Sequence, residues 1–491
     1  MGKEQSNYRQ ALWLGISQAA TFVVVFLSGA ILSRYFPKAD YGTYKQVMFV
    51  YYTLNVIFTA GLASVFPFFI PRYSMEEGKT IVTKVTWVLV MLGAAFSLCL
   101  FCGAGIIARV LDNPDLTLAL RLFSPAPLFT LPAIGVEGLY TALKKTQYVV
   151  IYQVGGKILH FCLCVLPVVL MHGTYKEAII GWVAAAFFTF LIAFLMKELP
   201  YRKVRAETVP DFYRKVFGYS LPLMNASLAG LFLHSANQFF ISRYCGQERF
   251  AEYSNGFMAL PIVGMVAGSI KSVLLPLFSK ASKEGTMHSA VKSYENSLLQ
   301  CVTLVFPFIF FCFLFSQDIM SFAFGRSYAD SGTYFRCSLV NDVLDCLPYL
   351  PILLALGKTR TYFKVHLYAA VMVWVSDLIL VSLSIRTPLI FAIVYVFFCG
   401  FIRVYIFRYI KVKLGISLMT PELLKRLGRV LLHLSILTIL IWGLHGLLSL
   451  FMGSLLNLAV CCAVFFVLVV VTGPVIGEHY YTGTLKQILR G

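Results

Sequence analysis

The sequence predicts an all-α integral membrane protein of about 14 transmembrane helices, arranged as two parallel six-helix repeats followed by two extra C-terminal helices. Composition is the first observation: of 491 residues, 59% are hydrophobic and only 13% are charged. A water-soluble core does not bury so large an apolar fraction, so lipid is the solvent for most of the chain. The second observation is a series of fourteen long apolar runs, and the third is a sequence block that occurs twice.

The apolar runs set the number of helices, because a helix needs about 20 residues to cross a bilayer. The first six runs cover 11–33, 44–70, 83–107, 117–142, 147–171 and 177–197. The other eight cover 215–242, 254–279, 293–315, 333–356, 362–384, 388–408, 428–450 and 454–474. Pro67 and Pro276 lie near the ends of the second and eighth runs, where we expect a kink or an early helix end. The first run lacks a cleavage site and is predicted to be a retained membrane helix.

The repeated block follows the first and the seventh runs. The sequence I-L-S-R-Y-F-P-K-A-D-Y-G-T-Y at Ile31–Tyr44 returns as F-I-S-R-Y-C-G-Q-E-R-F-A-E-Y at Phe240–Tyr253. A second pair, A-L-K-K-T at Ala142–Thr146 and A-L-G-K-T at Ala355–Thr359, has nearly the same spacing. Two blocks at nearly equal spacing indicate a duplicated unit. Six spans per copy place both copies in the same orientation, related by a pseudo-two-fold axis along the membrane normal.

Domain boundaries follow from this duplication. We predict an N-terminal six-helix lobe over 1–198, a cytoplasmic basic linker over 199–215 and a C-terminal six-helix lobe over 216–410. A segment over 411–427 is predicted to be cytoplasmic, either lying flat on the membrane surface or forming a solvated loop. Helices 13 and 14 and a cytoplasmic tail complete the chain over 428–491.

The charge of the chain is strongly basic, with 41 Lys and Arg against 22 Asp and Glu. The basic residues lie mainly in short connectors on one side of the membrane, and Arg403 is counted among them. This distribution is the positive-inside pattern and does not indicate a nucleic-acid surface. Both termini are therefore predicted to be cytoplasmic, and no nucleic-acid partner is expected. The cysteines lie mostly in apolar runs without metal-ligand spacing, so we expect no metal and no cofactor.

These features together resemble the polysaccharide transporter branch of the MOP exporter superfamily, which includes the Wzx-like O-antigen flippases and shares its two lobes with MATE exporters. In that branch an Arg ends the first span and a Tyr-Gly-x-Tyr sequence opens the second, as Arg34 and Tyr41-Gly42-Thr43-Tyr44 do here. The second copy reads Phe250-Ala251-Glu252-Tyr253 and lacks the glycine. A-L-G-K-T-R at Ala355–Arg360 also resembles the family.

The resemblance implies a non-enzymatic flippase of the bacterial inner (cytoplasmic) membrane. Such a protein moves a polyprenyl-pyrophosphate-linked oligosaccharide, an O-antigen, capsule or exopolysaccharide repeat unit, from the inner to the outer leaflet by alternating access. It works as a monomer among membrane lipids, with possible coupling to a proton or sodium gradient. The resemblance also implies a cavity between the repeats, lined chiefly by spans one, two, seven and eight.

Candidate substrate contacts are polar residues within spans, because charge in the membrane is costly and is usually functional. Lys271 lies in span eight, too deep for its side chain to reach water easily, and is a candidate contact for pyrophosphate. Alternatively, it snorkels or meets a backbone carbonyl. His234, Asn237 and Gln238 are spaced i, i+3 and i+4 in span seven, so they are predicted to form one polar face for glycan hydroxyls or for helix packing.

Span five carries Lys157 and His160 on one predicted face, and Lys157 lies near the bilayer midplane. Asp377 lies in the middle of span eleven, the repeat counterpart of span five. Two interpretations stay open for it. Asp377 carries a coupling proton or sodium ion, or it forms a structural ion pair with Lys157.

Five further positions complete the candidates. Arg34 and Arg243 are repeat twins at the outer ends of spans one and seven, where they either anchor helix ends or guard the outer mouth of a cavity. Asp342 and Asp345 in span ten either bind a cation or face water, and Glu137 in span four is similar.

Two other functions fit parts of the sequence. A MATE-type drug or cation exporter needs an acidic cavity, whereas the charge found near spans seven and eight is basic. A membrane enzyme of glycan assembly, such as a polymerase or ligase, usually has a sizeable polar domain or outer loop, and the predicted outer connectors here are of ordinary loop length.

Overall fold

The computed structural model describes residues 2–476, and within this range every regular element is helical. The predicted cytoplasmic tail after residue 476 lies outside the described residues. By packing, the described chain divides into two compact units, the first holding residues up to Ala251 together with Leu380–Pro388 and the second holding the remainder. The predicted linker and span seven therefore belong to the first unit, and the six-plus-six division stays a prediction.

The first unit contains both short and long helices. They are α1 (Gly2–Tyr35), α2 (Lys38–Phe58), α3 (Val65–Phe69), α4 (Met75–Val110), α5 (Asp115–Phe123), α6 (Ala126–Ala133), α7 (Val136–Ala142), α8 (Thr146–His160), α9 (Leu166–Met171), α10 (Tyr175–Glu198), α11 (Phe212–Tyr244) and α12 (Gly246–Gly256), which runs across the boundary of the units. Single turns of 3-10 helix cover Leu62–Ser64, Ile70–Arg72 and Leu199–Tyr201, and a π-helix covers Phe161–Val165.

The second unit is built from longer helices. They are α13 (Pro261–Glu284), α14 (Met287–Leu314), α15 (Ser316–Phe324), α16 (Ser331–Asp345), α17 (Leu350–Ala355), α18 (Thr359–Ser382), α19 (Pro388–Leu414), α20 (Pro421–Leu448) and α21 (Ser454–Thr472). Helix α14 packs against α13, α16 and α20, and α20 packs against α21. The two extra C-terminal helices are thus attached to this unit through α14.

The predicted all-α membrane fold is confirmed. Twelve described helices are long and apolar enough to cross a bilayer, and two bent helix pairs raise the number to fourteen when each pair is one span. The protein is therefore a multi-pass membrane protein. The start of α4 is fixed by a capping box. The Ser74 hydroxyl oxygen accepts a hydrogen bond from the backbone N–H of Glu77, and the Glu77 carboxylate accepts one from the backbone N–H of Ser74.

Span two is broken, but not where the sequence predicts. Its two halves, Lys38–Phe58 and Leu62–Arg72, are bent by 59°. The break lies at Ala60 and Gly61, whose φ angles are 49° and 69°, whereas Pro67 sits inside α3. In span eight, α13 continues through Pro276 to Glu284, and the helix is instead interrupted before Pro261. The measured bend of span two thus lies before Pro67, and α13 does not end early at Pro276; a kink at either proline stays a prediction.

Span four is also broken, which the sequence analysis does not predict. The halves Asp115–Phe123 and Ala126–Ala142 are bent by 45°, and the second half is itself interrupted between Ala133 and Val136. Gly135 occupies this interruption with φ of 99°, a conformation that residues with a Cβ adopt at a steric cost. Irregular backbone inside a membrane is tolerated where it is covered by protein or lines a wet cavity.

Candidate functional site

The first unit encloses a cavity of about 1000 Å³ at the level of its two broken spans. Its walls come from α1, α8 and α10, from Ala63–Ser64 directly after the break in span two, and from Ile134–Gly138 at the interruption in span four. The volume is at the upper end of the range of about 300–1,000 Å³ that is typical of small-molecule sites. Broken helices around a cavity are a usual way to build a transporter's binding site.

Three helices each contribute one stripe of residues spaced i, i+3, i+4 and i+7, which is one face of a helix. The stripe of α1 is Gln18, Thr21, Phe22 and Val25; that of α8 is Gln153, Gly156, Lys157 and His160; that of α10 is Trp182, Ala185, Ala186 and Thr189. The small residues in these stripes leave the space, and the polar residues give it a hydrogen-bonding lining.

A chain of hydrogen bonds fixes the acidic side of the cavity. The Ser17 hydroxyl donates to Gln153 Oε1 over 2.6 Å, and Gln153 Nε2 donates to Glu137 Oε2 over 2.7 Å. Glu137 lies in the first turn of α7, where the helix dipole stabilises a negative charge. These contacts orient one carboxylate oxygen and leave Glu137 Oε1 without a protein partner among the described residues.

The basic side of the cavity is carried by Lys157. Its side chain is half-buried, and within the described part of the chain it forms neither a hydrogen bond nor an ion pair. Glu137 lines the same cavity but is not ion-paired with it. A cation and a carboxylate that line one membrane cavity without pairing are available to a polar ligand or to water.

An aromatic corner forms another wall. The rings of His160 and Trp182 lie 5.6 Å apart at 88°, and Trp182 is held from behind by Tyr51 and Phe123, at 5.5 and 4.8 Å. The π-helix begins directly after His160, and such segments are frequent at functional sites.

Lys197 supports the interruption of span four from behind. Its ammonium donates to the carbonyl oxygen of Pro132 over 2.7 Å and to the Thr86 hydroxyl over 3.2 Å, and lies 5.0 Å from the ring of Phe66. The side chain is 2% exposed. Because α6 ends at Ala133, the carbonyl of Pro132 has no N–H of a following helical turn to accept from. Lys197 supplies a donor in its place.

Comparison with known proteins assigns the chain to a family. The sequence profile described as "Polysaccharide biosynthesis protein" matches residues 31–332, more than half of the chain. The chain belongs to this polysaccharide biosynthesis family. A curated relative, the succinoglycan biosynthesis transport protein ExoT of Rhizobium meliloti (strain 1021), is 23% identical over 370 residues, covering 74% of this chain and 72% of that protein.

Solved structures show the fold of this family member. The lipid II flippase MurJ in an inward closed conformation superposes with a TM-score of 0.68 at 13% identity, covering 93% of this chain and 98% of MurJ. An inward-facing multidrug resistance MATE transporter of the MOP superfamily gives 0.59 at 12% identity, covering 80% and 96%. The expected resemblance to MOP exporters is thereby confirmed.

The structure brings some of the predicted site residues together. Lys157 and His160 line one cavity, as their shared face predicts, and Glu137 joins them there. Asp377 is fully buried in α18, and neither of its carboxylate oxygens has a hydrogen-bond partner among the described residues. Both sequence-based interpretations of Asp377, ion coupling and pairing with Lys157, stay predictions.

The three polar residues of span seven are not equally accessible. Asn237 is 2% exposed, whereas the side chain of His234 is exposed and that of Gln238 is half-buried. The Asn237 Oδ1 accepts a hydrogen bond from the backbone N–H of Gln238 over 3.0 Å. Lys271 is exposed on α13. A role for these four residues in substrate binding stays a prediction.

The repeated Arg residues differ in their surroundings. Arg34 is exposed, whereas Arg243 forms an ion pair of 3.1 Å with Asp112 in the turn between α4 and α5. Arg243 thus ties the end of α11 to that turn, as an anchoring residue would, and a role at an outer mouth stays a prediction for both.

The acidic residues of span ten do not both face water. Asp342 is fully buried, and its Oδ2 accepts a hydrogen bond from the backbone N–H of Leu260 over 2.9 Å, at the interruption before α13. Asp345 is paired with Arg403, which also donates to the carbonyl oxygens of Leu344 and Cys399. Arg403 is 8% exposed, so counting it as a basic connector residue is wrong.

The Tyr-Gly-x-Tyr motif lies at a close helix contact. The backbone of Gln247 passes directly over Gly42, so a Cβ there would lie 2.6 Å from the carbonyl carbon of Gln247 and closer still to its oxygen. One turn further along, Gln46 Nε2 donates to Ser242 Oγ over 2.9 Å, and Asn113 Nδ2 donates to Gln46 Oε1 over 2.6 Å. The glycine therefore allows a buried polar network between α2 and α11.

Proposed function

We propose that this protein is a flippase that moves a polyprenyl-pyrophosphate-linked oligosaccharide from the inner to the outer leaflet by alternating access. The match of the polysaccharide biosynthesis family to residues 31–332 carries the proposal. The names of a succinoglycan transport protein and a lipid II flippase among the similar proteins support it. Pyrophosphate and glycan do not cross hydrocarbon unaided. The cavity of the first unit contains polar side chains that can replace their water.

We further propose where the protein lies in the cell and which polar residues contact its cargo. The protein lies in the inner membrane of a bacterium with both termini in the cytoplasm, works as a monomer, and moves its cargo without covalent chemistry or a cofactor. Lys157 contacts the cargo from the cavity wall. Further contacts come from a group of polar residues outside this cavity, which are Lys271, His234, Asn237, Gln238, Arg34 and Arg243.

Deletion of the gene followed by lipid analysis tests this function. A flippase predicts that polyprenyl-linked glycan of full length accumulates on the cytoplasmic side. Unaltered glycolipid together with increased drug sensitivity indicates a drug exporter instead, and accumulation of incomplete glycan indicates an assembly enzyme.

Lys271 is expected to contribute to transport rather than to folding. Its repeat twin is Leu62, so the duplicated scaffold does not require a charge there, and the side chain is exposed on α13. Lys271→Ala is expected to lower glycolipid export about tenfold while the amount of protein in the membrane stays unchanged. Lys283→Ala, in the last turn of the same helix, is the control. Normal export by Lys271→Ala removes this residue from the site.

Asp377 is the proposed coupling residue. Its carboxylate is buried, and among the described residues neither oxygen has a hydrogen-bond partner. Such a group is unfavourable in its charged form unless a cation neutralises it, and otherwise it takes up a proton. Asp377→Asn is therefore expected to abolish the dependence of export on a proton or sodium gradient, measured in cells treated with ionophores specific for each. A dependence identical to that of the wild type argues against coupling at this position.

A further inference from the structure

We infer that the cavity of the first unit is a sugar subsite, which binds a ring of the lipid-linked glycan and not its pyrophosphate. The inference rests on the proposed function and specifies which part of the cargo the cavity takes. Three features carry it: the charges of the lining, the aromatic corner and the size of the space.

The charges of the lining suit a group that both donates and accepts hydrogen bonds. Glu137 is oriented by Gln153, and its second carboxylate oxygen has no partner in the described part of the chain. A carboxylate accepts hydrogen bonds and repels phosphate. Lys157 lines the same cavity, also without a partner among residues 2–476, and an ammonium only donates. Sugar hydroxyls satisfy both groups at once, whereas a pyrophosphate satisfies the lysine and opposes the carboxylate.

The aromatic corner suits the apolar face of a sugar ring. Trp182 lines the cavity with its position fixed by Tyr51 and Phe123, and the ring of His160 stands perpendicular to it. Indole offers a large apolar surface and one N–H donor. Among the described residues nothing accepts a hydrogen bond from this N–H, so it is available to an oxygen of the ligand.

The space is far larger than a single ion needs. A volume of about 1000 Å³ admits one or more sugar rings with their water. The interruption at Gly135 and the 3-10 turn residues Ala63 and Ser64, directly after the break in span two, line the same space. Backbone groups at such breaks bind polar ligands in transporters, and hydroxylated rings match them better than lipid does.

Two conservative variants test the subsite. Trp182→Phe keeps an aromatic ring against Tyr51 and Phe123 but removes the N–H and part of the stacking surface. Glu137→Gln keeps an acceptor for Gln153 but removes the charge. Trp87→Phe is the matched control, because Trp87 is 65% exposed on the outside of α4.

The probe is a lipid mixture offered to the purified full-length protein. It contains the polyprenyl-linked lipids extracted from the deletion strain, supplemented with sugar-free undecaprenyl pyrophosphate, and bound species are counted by native mass spectrometry. Both site variants are expected to lower the ratio of bound glycolipid to bound sugar-free lipid at least fivefold, with binding of the sugar-free lipid unchanged. Trp87→Phe keeps the wild-type ratio.

The other outcomes overturn the inference in distinguishable ways. An unchanged ratio, or an equal loss of both lipids, shows that the cavity does not recognise sugar, while the proposed function stands if wild-type protein still binds glycolipid. Wild-type protein that binds neither lipid contradicts the proposed function itself, and the subsite with it.

Discussion

Gly135→Ala is expected to lower export of the glycolipid at least tenfold and to reduce the thermal stability of the purified protein. Gly135 has φ of 99°, and a Cβ there would lie 2.7 Å from Phe66 Cζ and nearer still to the adjacent ring carbons. Phe66 is fully buried, so the residues packed around its ring would have to shift. Backbone strain and overpacking together amount to about 3 kcal/mol, at the wall of the cavity. Melting monitored by fluorescence-detected size-exclusion chromatography measures the stability.

Two further variants separate the causes of this effect. Gly105→Ala places a methyl group in open space on α4 and is expected to leave export and stability unchanged. Phe66→Leu combined with Gly135→Ala removes the collision but not the positive φ, so stability is expected to recover in part. Wild-type melting and export of the single variant Gly135→Ala would show that span four is not interrupted at this glycine.

Gly42→Ala is expected to have the second-largest effect. The methyl group would collide with the backbone of Gln247 at the start of α12. A backbone cannot move aside by a rotamer change as a side chain can, so α2 and the start of α12 must separate. Separation breaks the hydrogen bond from Gln46 to Ser242, both of which are buried. A buried polar group left without its partner costs about 1–3 kcal/mol. We expect export to fall about tenfold, measured as glycolipid that reaches the outer leaflet in cells.

The second copy of the motif supplies the control. Ala251 is the repeat twin of Gly42 and is fully buried, so the motif itself tolerates a methyl group at this position. Ala251→Gly is expected to cost only about 1 kcal/mol, because it removes one methyl group and adds chain flexibility in a helix. If Gly42→Ala has no larger effect than Ala251→Gly, the close contact between α2 and Gln247 is not required.

The number and class of the helices follow from hydropathy alone, whereas their interruptions do not. The run through Phe58–Leu62 is as apolar as its neighbours, so no composition change marks the break at Ala60 and Gly61. Pro67 is the stronger sequence signal, yet it lies near the start of α3, where a missing N–H is tolerated. The cavity depends on both breaks, which is why sequence reasoning does not place it within the first unit.

The site is predictable only where helical spacing determines it. Lys157 and His160 share a face at i and i+3, and the structure places both on the cavity wall. Trp182 has no such signal, since an aromatic residue in an apolar run is most often packing. Lys197 stands at the end of span six like an ordinary interfacial lysine, and its burial depends on the carbonyl of Pro132 that the break in span four releases. Such partners are set by tertiary structure.

The central claim is tested most directly by measuring how much glycolipid is accessible on the outer surface of reconstituted vesicles. Purified protein is reconstituted with the glycolipid extracted from the deletion strain, and a glycan-degrading enzyme that does not cross the membrane is added outside. We predict that nearly all of the glycolipid becomes degradable, because the protein brings the inner pool to the outer surface. Degradation that stops at about half, as in protein-free vesicles with equal leaflets, would contradict the proposed translocation.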